Sequence, residues 1–408
     1  MFFTPSVQDT PVAPLTLEGA LTDALRSHPR VSALRKELAA RQQNIRAASA
    51  LVGPSITLSP GLTSLSGTTE ELLAIQPLEI NGNRSARTAI ALAAFRIAQA
   101  EARTTLLAFT YEVRLAVLSV EQARSLFRLT ETQVSDAQTL EGLAKKQIEL
   151  GTRPGIDLET LTLETLRTEN LRIQAASAVR SAETTLNLLL GRPAAAMVPA
   201  LAPLSLPQEA LSIEALLSSA LSLRPELKQA DAEKEGTNAQ QKLLQAEGKP
   251  DVSPMVRIGS LFRRTPAGST GNGAGFGVAI SLPLDHGSRR AQKAGQQERL
   301  EAIKSHREDL SRQIESEVRE AAERLKTAQA ILVRYESEAL PHTERLLRAS
   351  RIGFEEGKTS VLAVIETQRT HRLIQSETLK ARHDVLLAAA ALDKVRGLSL
   401  IPLPEVQP

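Results

Sequence analysis

The chain has 408 residues, 42% of them hydrophobic and 23% charged, which excludes wholesale disorder. Its 49 basic and 46 acidic side chains leave a net charge of +3 and are finely interspersed. The run Arg312-Gln-Ile-Glu315-Ser-Glu317-Val-Arg319-Glu320 describes a solvated helix surface and excludes a nucleic-acid-binding stripe. There is no cysteine, which removes disulfides, thiolate metal sites and cysteine nucleophiles together.

With eight Phe, two Tyr and no Trp, a large core has to be assembled from Ala and Leu, as helices packed on helices allow. No stretch approaches the roughly 18–20 apolar residues of a membrane-spanning helix. The opening Met1-Phe-Phe-Thr-Pro lacks the basic and apolar regions of a secretory signal. An exported form is therefore expected to draw its signal from upstream, or to have lost it.

A short helix is expected over Leu17 to Ser27, with Pro29 at the start of a second helix, where proline is well tolerated. That helix runs to about Leu51 and is ended by Gly53-Pro54. Two runs with a period of two follow, 55–64 and 72–80, separated by the polar link Ser64 to Glu71, and read as a β-hairpin. After Gly82 the period becomes helical, with Ile90, Ala93, Ile97, Ala100, Leu107, Tyr111, Leu115 and Leu118 forming a coiled-coil-like seam. At ~1.5 Å per residue, a single helix from Gly82 to Gly151 would reach on the order of 100 Å. Gly151-Thr-Arg-Pro-Gly155 reverses the chain, and a helix returns to Gly191-Arg-Pro193.

The second half repeats this plan. Leu211-Ser-Ile213-Glu214 stands for Leu15-Thr-Leu17-Glu18, and at the same offset Pro225 stands for Pro29 and Pro250 for Pro54. Beyond the hairpin the offset grows slightly, and Pro283-Leu284-Asp285, Gly357 and Gly397 match Pro77-Leu78-Glu79, Gly151 and Gly191. Landmarks kept in order mark a tandem duplication, with repeats at 1–205 and 206–408. The second repeat supplies strands at 252–263 and 274–283, linked by Arg264 to Ala274. In Phe276-Gly-Val-Ala-Ile-Ser-Leu282 one face is Phe276, Val278, Ile280 and Leu282 and the other Gly, Ala and Ser. Its long helix carries the seam Ile314, Val318, Ala321, Leu325, Ala328, Leu332, Tyr335 and Ala339, and Pro341 should kink it.

The fold class is thus mainly α with a small β part. Strand regions lie at 55–80 and 252–283, and helical hairpins at 84–190 and 289–396. Four strands in two separated hairpins cannot close a barrel within one chain. With the helices pairing among themselves, partner strands from other subunits are the expected cover, and lipid would accept the face of Phe276, Val278 and Ile280.

This organisation resembles the TolC-like outer-membrane efflux proteins over essentially the whole chain. The residues that carry the resemblance are Gln76-Pro-Leu-Glu-Ile-Asn-Gly82-Asn-Arg84-Ser-Ala86 and Ser281-Leu-Pro-Leu-Asp285, similar to the family's two barrel exits. Glu338-Ala-Leu-Pro341 with Gly353-Phe-Glu-Glu-Gly357 resembles the approach to the second periplasmic tip, and Leu186-Asn-Leu-Leu-Leu-Gly191-Arg-Pro193 the close of the first half. The first exit looks closest to the branch serving heavy-metal cation pumps of the cobalt–zinc–cadmium type. The resemblance implies a homotrimer in the outer membrane that reaches into the periplasm and docks on a periplasmic adaptor and an inner-membrane pump. It would be a passive, gated duct with no cofactor, drug efflux and type I secretion being the alternative cargoes of the same fold.

Site residues follow from the same resemblance. Asp157 and Glu366 match acids that narrow the pore, while Ala363 replaces a further acid of the family's second tip. Phe354 and Thr359 replace polar or basic residues that lock the closed state in some members. Gly151, Thr152, Pro154, Gly155, Gly357, Lys358 and Thr359 would form the adaptor-docking tips. Arg84 and Arg87, with Arg289, Arg290 and Lys293, follow the two barrel exits. Positive charge at a helix start opposes the macrodipole, so contact with anionic lipid headgroups is the expected compensation, and ordinary solvation the alternative.

An enzyme finds little support. Gly271-Asn-Gly273-Ala-Gly275 has no Lys-Ser/Thr after it and precedes a strand, so it is no phosphate loop. Of His28, His286, His306, His342, His371 and His383, no two are three or four apart, and no zinc site or Ser-His-Asp set emerges. A soluble coiled-coil scaffold is the rival of another class, and it leaves the strands unexplained.

Overall fold

The computed structural model describes residues 14–59, 71–151, 153–207, 212–259 and 273–402. In the first repeat the elements are α1 (Leu17–Ser27), α2 (Pro29–Ser49), β1 (Ser55–Ser59), β2 (Glu71–Ile75), α3 (Asn83–Glu149) and α4 (Ile156–Leu189). The second repeat gives α5 (Ile213–Leu223), α6 (Pro225–Ala246), β3 (Asp251–Gly259), β4 (Gly273–Ser281), α7 (His286–Arg334), α8 (Leu340–Glu355) and α9 (Val361–Val395). Of the expected strands, 60–64 and 260–263 lie outside the described residues, while β2 ends at Ile75 where the expectation ran to 80 and β4 at Ser281 where it ran to 283.

The duplication extends to the hydrogen bonds that end the helices. Thr16 and Ser212 occupy equivalent N-cap positions, accepting from the amides of Gly19 at 3.0 Å and Ala215 at 3.3 Å. The residues before Pro29 and Pro225 are held extended, with ψ of 131° and 122°, because proline crowds the helical conformation of its predecessor. That single constraint separates α1 from α2 and α5 from α6. The returning helices α4 and α9 both end on a glycine with positive φ, 67° at Gly191 and 72° at Gly397. In each, the next amide reaches back to the third-last helical carbonyl, Arg192 to Asn187 at 2.8 Å and Leu398 to Asp393 at 2.9 Å.

The two sequence repeats are not the two compact bodies of the fold. One compact unit draws on 14–33, 104–224 and 312–402, the other on 34–103 and 225–311, so each takes equivalent stretches of both repeats. In the first unit, Leu118, Leu386 and Ala390 pack with Tyr111, Leu204 and Leu206, and Ile314, Val318, Ala321, Leu325 and Leu332 of the expected seam are buried. Ala328, Tyr335 and Ala339 of that seam are only half-buried. On α3 the expected seam is incomplete, since Val113, Val117 and Val120 are fully buried beside it. In the second unit Phe95 is enclosed with Leu38 and Ala102, and small residues bring backbones together, a Cβ on Gly236 lying 3.3 Å from that of Ala93. The effect of Pro341 is a wider turn of π-helix over Tyr335–Ala339 between α7 and α8, as expected where a proline removes a donor from the ladder.

The four strands form one antiparallel sheet in the order β1-β2-β3-β4, and the β2–β3 pairing joins the repeats. Residues opposite each other in an antiparallel ladder share a face, so the register sorts the side chains. The rows Phe276–Val256–Ala74–Ile56 and Ala274–Ile258–Leu72–Leu58 form one wholly apolar face. The rows Gly277–Met255–Ile75–Ser55 and Gly275–Arg257–Leu73–Thr57 form a face of mixed, largely small and polar residues. Much of the apolar face is exposed among the described residues. Phe276 is 88% exposed, Ile56 68% and Ile280 61%.

Three histidines of the first unit resist protonation. Burial pushes His28, His371 and His383 below the ordinary value of 6.5, against the attraction of nearby carboxylates such as Glu112, Glu344 and Glu121. A depressed histidine contributes stability that is present above the unfolded value and lost as pH falls below it. Thermal unfolding followed by helical circular dichroism should therefore show a lower midpoint at about pH 5.5 than at about pH 7.5, and His371→Gln with His383→Gln should shrink that difference. An unchanged difference in the double variant would contradict this account.

Candidate functional site at the hairpin tips

The first tip forms where α3 ends. Gly151 takes φ of 70° and its amide donates to Ile148 at 2.9 Å; Pro154 and Gly155 then lead into α4, and Thr152 lies outside the described residues. The second tip forms where α8 ends. Gly357 takes φ of 72°, the amides of Lys358 and Thr359 donate to Gly353 at 2.8 and 2.9 Å, and Ser360 caps α9 through the amide of Ala363. Thr359 lies so close over Gly353 that any Cβ there would collide with its hydroxyl.

Arg153 ties these two turns together. Its side chain is only 8% exposed, and its guanidinium lies 4.0 Å above the fully buried Phe354 ring. It donates to the carbonyls of Phe354 at 3.0 Å and Thr359 at 3.2 Å and to Gln147 Oε1 at 2.6 Å, and pairs with Asp157 at 3.4 Å. Gln147 adds bonds to the carbonyls of Phe354 and Glu355. The last carbonyls of a helix lack intrahelical donors and carry the negative end of the dipole, so a cation from the other hairpin is well placed there. Below it, Leu140, Ala144 and Leu161 of the first hairpin share one core with Phe354, Val361, Val364 and Ile365 of the second.

A second polar cluster joins α4 to α9. Glu164, with 5% of its side chain exposed, accepts from Arg369 at 2.8 Å and from Arg372 at 2.9 Å, and Arg372 also donates to Thr168 and Gln368. The bond to Glu164 raises the Arg369 guanidinium above its ordinary value, while burial pulls Arg372 down. Both stay charged, since arginine does not deprotonate in proteins.

The resemblance-derived acids therefore occupy different settings. Asp157 is half-buried and held by Arg153, whereas Glu366 is exposed on α9 and paired with Arg369 at 3.0 Å. Gly151, Pro154, Gly155, Gly357 and Lys358 are exposed on the turns, Lys358 pairing with Glu356 at 2.7 Å, and Thr359 is half-buried. The basic residues after the barrel exits belong to the other compact unit. Arg84 and Arg87 donate to the carbonyls of Ser49 and Ala50, Arg87 also pairs with Glu79 at 2.8 Å, and Arg289 donates to Glu247. These three thus close the ends of α2 and α6. Arg290 and Lys293 have no partner among the described residues. Sequence reasoning missed Arg153, Glu164, Arg369 and Arg372. Their bonds span 201 to 208 residues, about the repeat offset, and the signal that points to them is that equivalent positions of the two repeats meet.

No group of three or more metal-ligating side chains occurs among the described residues, and no helix among them is long and apolar enough to cross a membrane. The family model described as outer membrane efflux protein matches residues 20–192 and again 216–398, the two repeats in turn. The chain belongs to the outer membrane efflux protein family. Within it, the chain is similar to the cobalt-zinc-cadmium resistance protein CzcC of Cupriavidus metallidurans, 28% identical over 397 residues that cover 94% of this chain and 90% of that one. Solved structures of CusC and of VceC from Vibrio cholerae share the fold, each with a TM-score of 0.76. The CusC comparison has 16% identity and covers 98% of this chain and 96% of that one; for VceC the values are 17%, 94% and 97%. The outer-membrane channel OprN compares similarly, with a TM-score of 0.75, 17% identity and coverage of 94% and 90%.

The tip geometry predicts that Arg153→Gln loosens the second tip, because two partly buried carbonyls lose a charged donor worth about 1.5–3 kcal/mol. Amide exchange over residues 353–360 should quicken by roughly ten- to a hundred-fold, with the β-sheet unaffected. Unchanged exchange at the second tip would show that Arg153 does not hold it.

Proposed function

We propose that the chain is one subunit of a homotrimeric exit duct in the outer membrane. It passes heavy-metal cations outward from an inner-membrane pump through a periplasmic adaptor. The carrying observation is the sheet, whose four strands are apolar on one whole face and mixed on the other. A closed barrel sets such a face against lipid and the other against an aqueous lumen. Three sheets of four strands would give about twelve, within the range of closed outer-membrane barrels. The exposed Phe276 and Ile280 speak against a soluble scaffold, in which this face would meet water.

Likeness to CzcC, named for cobalt, zinc and cadmium resistance, favours metal cations as cargo. The duct is passive and its energy is spent at the pump. Asp157 and Glu366 narrow the pore at the tips, and Arg153 on Phe354 replaces the lock that residues at the positions of Phe354 and Thr359 supply in some family members. The exposed turns at Gly151–Gly155 and Gly357–Thr359 offer the adaptor its contact. Arg290 and Lys293 are the best placed of the basic residues to meet anionic headgroups, since Arg84, Arg87 and Arg289 are engaged within the chain.

Cell fractionation and mass determination of the detergent-extracted particle test this reading. The expected result is an outer-membrane trimer whose deletion sensitises cells to zinc, cobalt or cadmium and leaves drug tolerance intact. A soluble monomer folded without detergent would contradict the duct. An outer-membrane trimer whose loss sensitises cells only to drugs would contradict the cargo.

A further inference from the structure

Glu366 is the exposed acid that the proposed function sets in the pore, and the inference below rests on that reading. Its partner Arg369 lies nearly one turn further along α9, Nη1 reaching Glu366 Oε1 at 3.0 Å. An ion pair three residues apart on an exposed helix face is ordinarily worth only a few tenths of a kcal/mol, because two long side chains lose their freedom to make it. Here the guanidinium is not free to wander. Its Nη2 is fixed on Glu164 Oε2 at 2.8 Å, and Glu164 is almost wholly buried. The other oxygen of Glu164 takes Arg372 at 2.9 Å, and Arg372 is further tied to Thr168 and Gln368. One buried carboxylate therefore faces two guanidinium groups, and the unbalanced positive charge is presented to Glu366.

A bare Glu366 from each of three subunits would make a ring of carboxylate oxygens, the donor set that holds hard divalent cations. Conduction demands that an ion enter such a constriction and also leave it. We infer that Arg369 is the specificity-determining residue of the tip constriction, masking Glu366 so that the ring carries little net charge and does not retain divalent cations. Asp157 is treated likewise by Arg153, at 3.4 Å. The duct then owes its cargo to the pump that loads it and not to a selective filter of its own.

The test is conductance of the purified full-length protein in planar lipid bilayers under a KCl gradient, with and without added Zn2+. Wild type should discriminate weakly between K+ and Cl− and conduct normally in Zn2+. Arg369→Gln should raise the K+/Cl− permeability ratio by about three-fold or more and introduce block by Zn2+. Arg369→Lys, which keeps the charge but not the two-nitrogen bridge, should raise that ratio less than Arg369→Gln does, and Glu366→Gln should move selectivity toward Cl−. A wild type already strongly cation-selective and blocked by Zn2+ would overturn the masking, and needs no variant to assemble. Glu366→Gln altering selectivity while Arg369→Gln does not would also overturn it, leaving the pore position intact. If neither variant changes selectivity or block, Glu366 lies outside the constriction, and the pore reading falls together with the inference.

Discussion

A β-sheet leaves two sets of groups to satisfy, the apolar side chains on its faces and the amides and carbonyls along its outer strands. Among the described residues of this chain neither set is fully satisfied internally. The register gathers Ile56, Val256, Phe276 and their neighbours onto one face that is largely exposed, and β1 and β4 each have a single neighbour among the described residues. An exposed apolar sheet face with open edges of this kind favours aggregation in water. In lipid it is stable once its edges close on other copies, because every backbone group is then paired. The proposed membrane location and the proposed pairing with further subunits both rest on that requirement.

The helical part solves a different problem. Ala-rich helices bury modest area per residue, and polar contacts therefore fix which helix meets which and in what register. At the tips those contacts are charged and largely buried, with Arg153 on the carbonyls of the second hairpin and Glu164 between Arg369 and Arg372. Buried ion clusters add little net stability over apolar packing, but removing one member strands the others. Such a contact has two well-defined states, made and broken, which suits the proposed gated tip. Family membership supplies the context of an efflux channel, and the side chains specific to this chain supply the means.

Much of the architecture was legible in the sequence because its signals are local. Pro29, Pro225, Gly191 and Gly397 mark helix ends through backbone restrictions that act within a few residues. The alternation from Phe276 to Leu282 marked a two-faced strand, and the spacing from Ile314 to Leu332 a buried seam. The tips were legible only as turns. Nothing near Arg153 says that a guanidinium there will be buried under a partner some two hundred residues away, and Glu164 reads as one more surface acid on a charged helix. The basic residues after the barrel exits were misleading for a related reason. A charge that opposes its own helix can serve the end of a neighbouring one, as Arg84 and Arg289 do for α2 and α6.

The central claim is that β1 of one copy pairs with β4 of the next. The chain has no native cysteine, so cysteine pairs that combine Ser55, Thr57 or Ser59 of β1 with Gly273, Gly275, Gly277, Ala279 or Ser281 of β4 would supply the only thiols present. Scanning these pairs allows for the stagger that barrel closure imposes. Oxidation in intact outer membranes followed by non-reducing electrophoresis should give covalent dimers and trimers from the pairs in register and only monomers from the single variants. Monomers alone from every pair, with the cysteines reactive toward a small thiol reagent, would contradict the shared barrel.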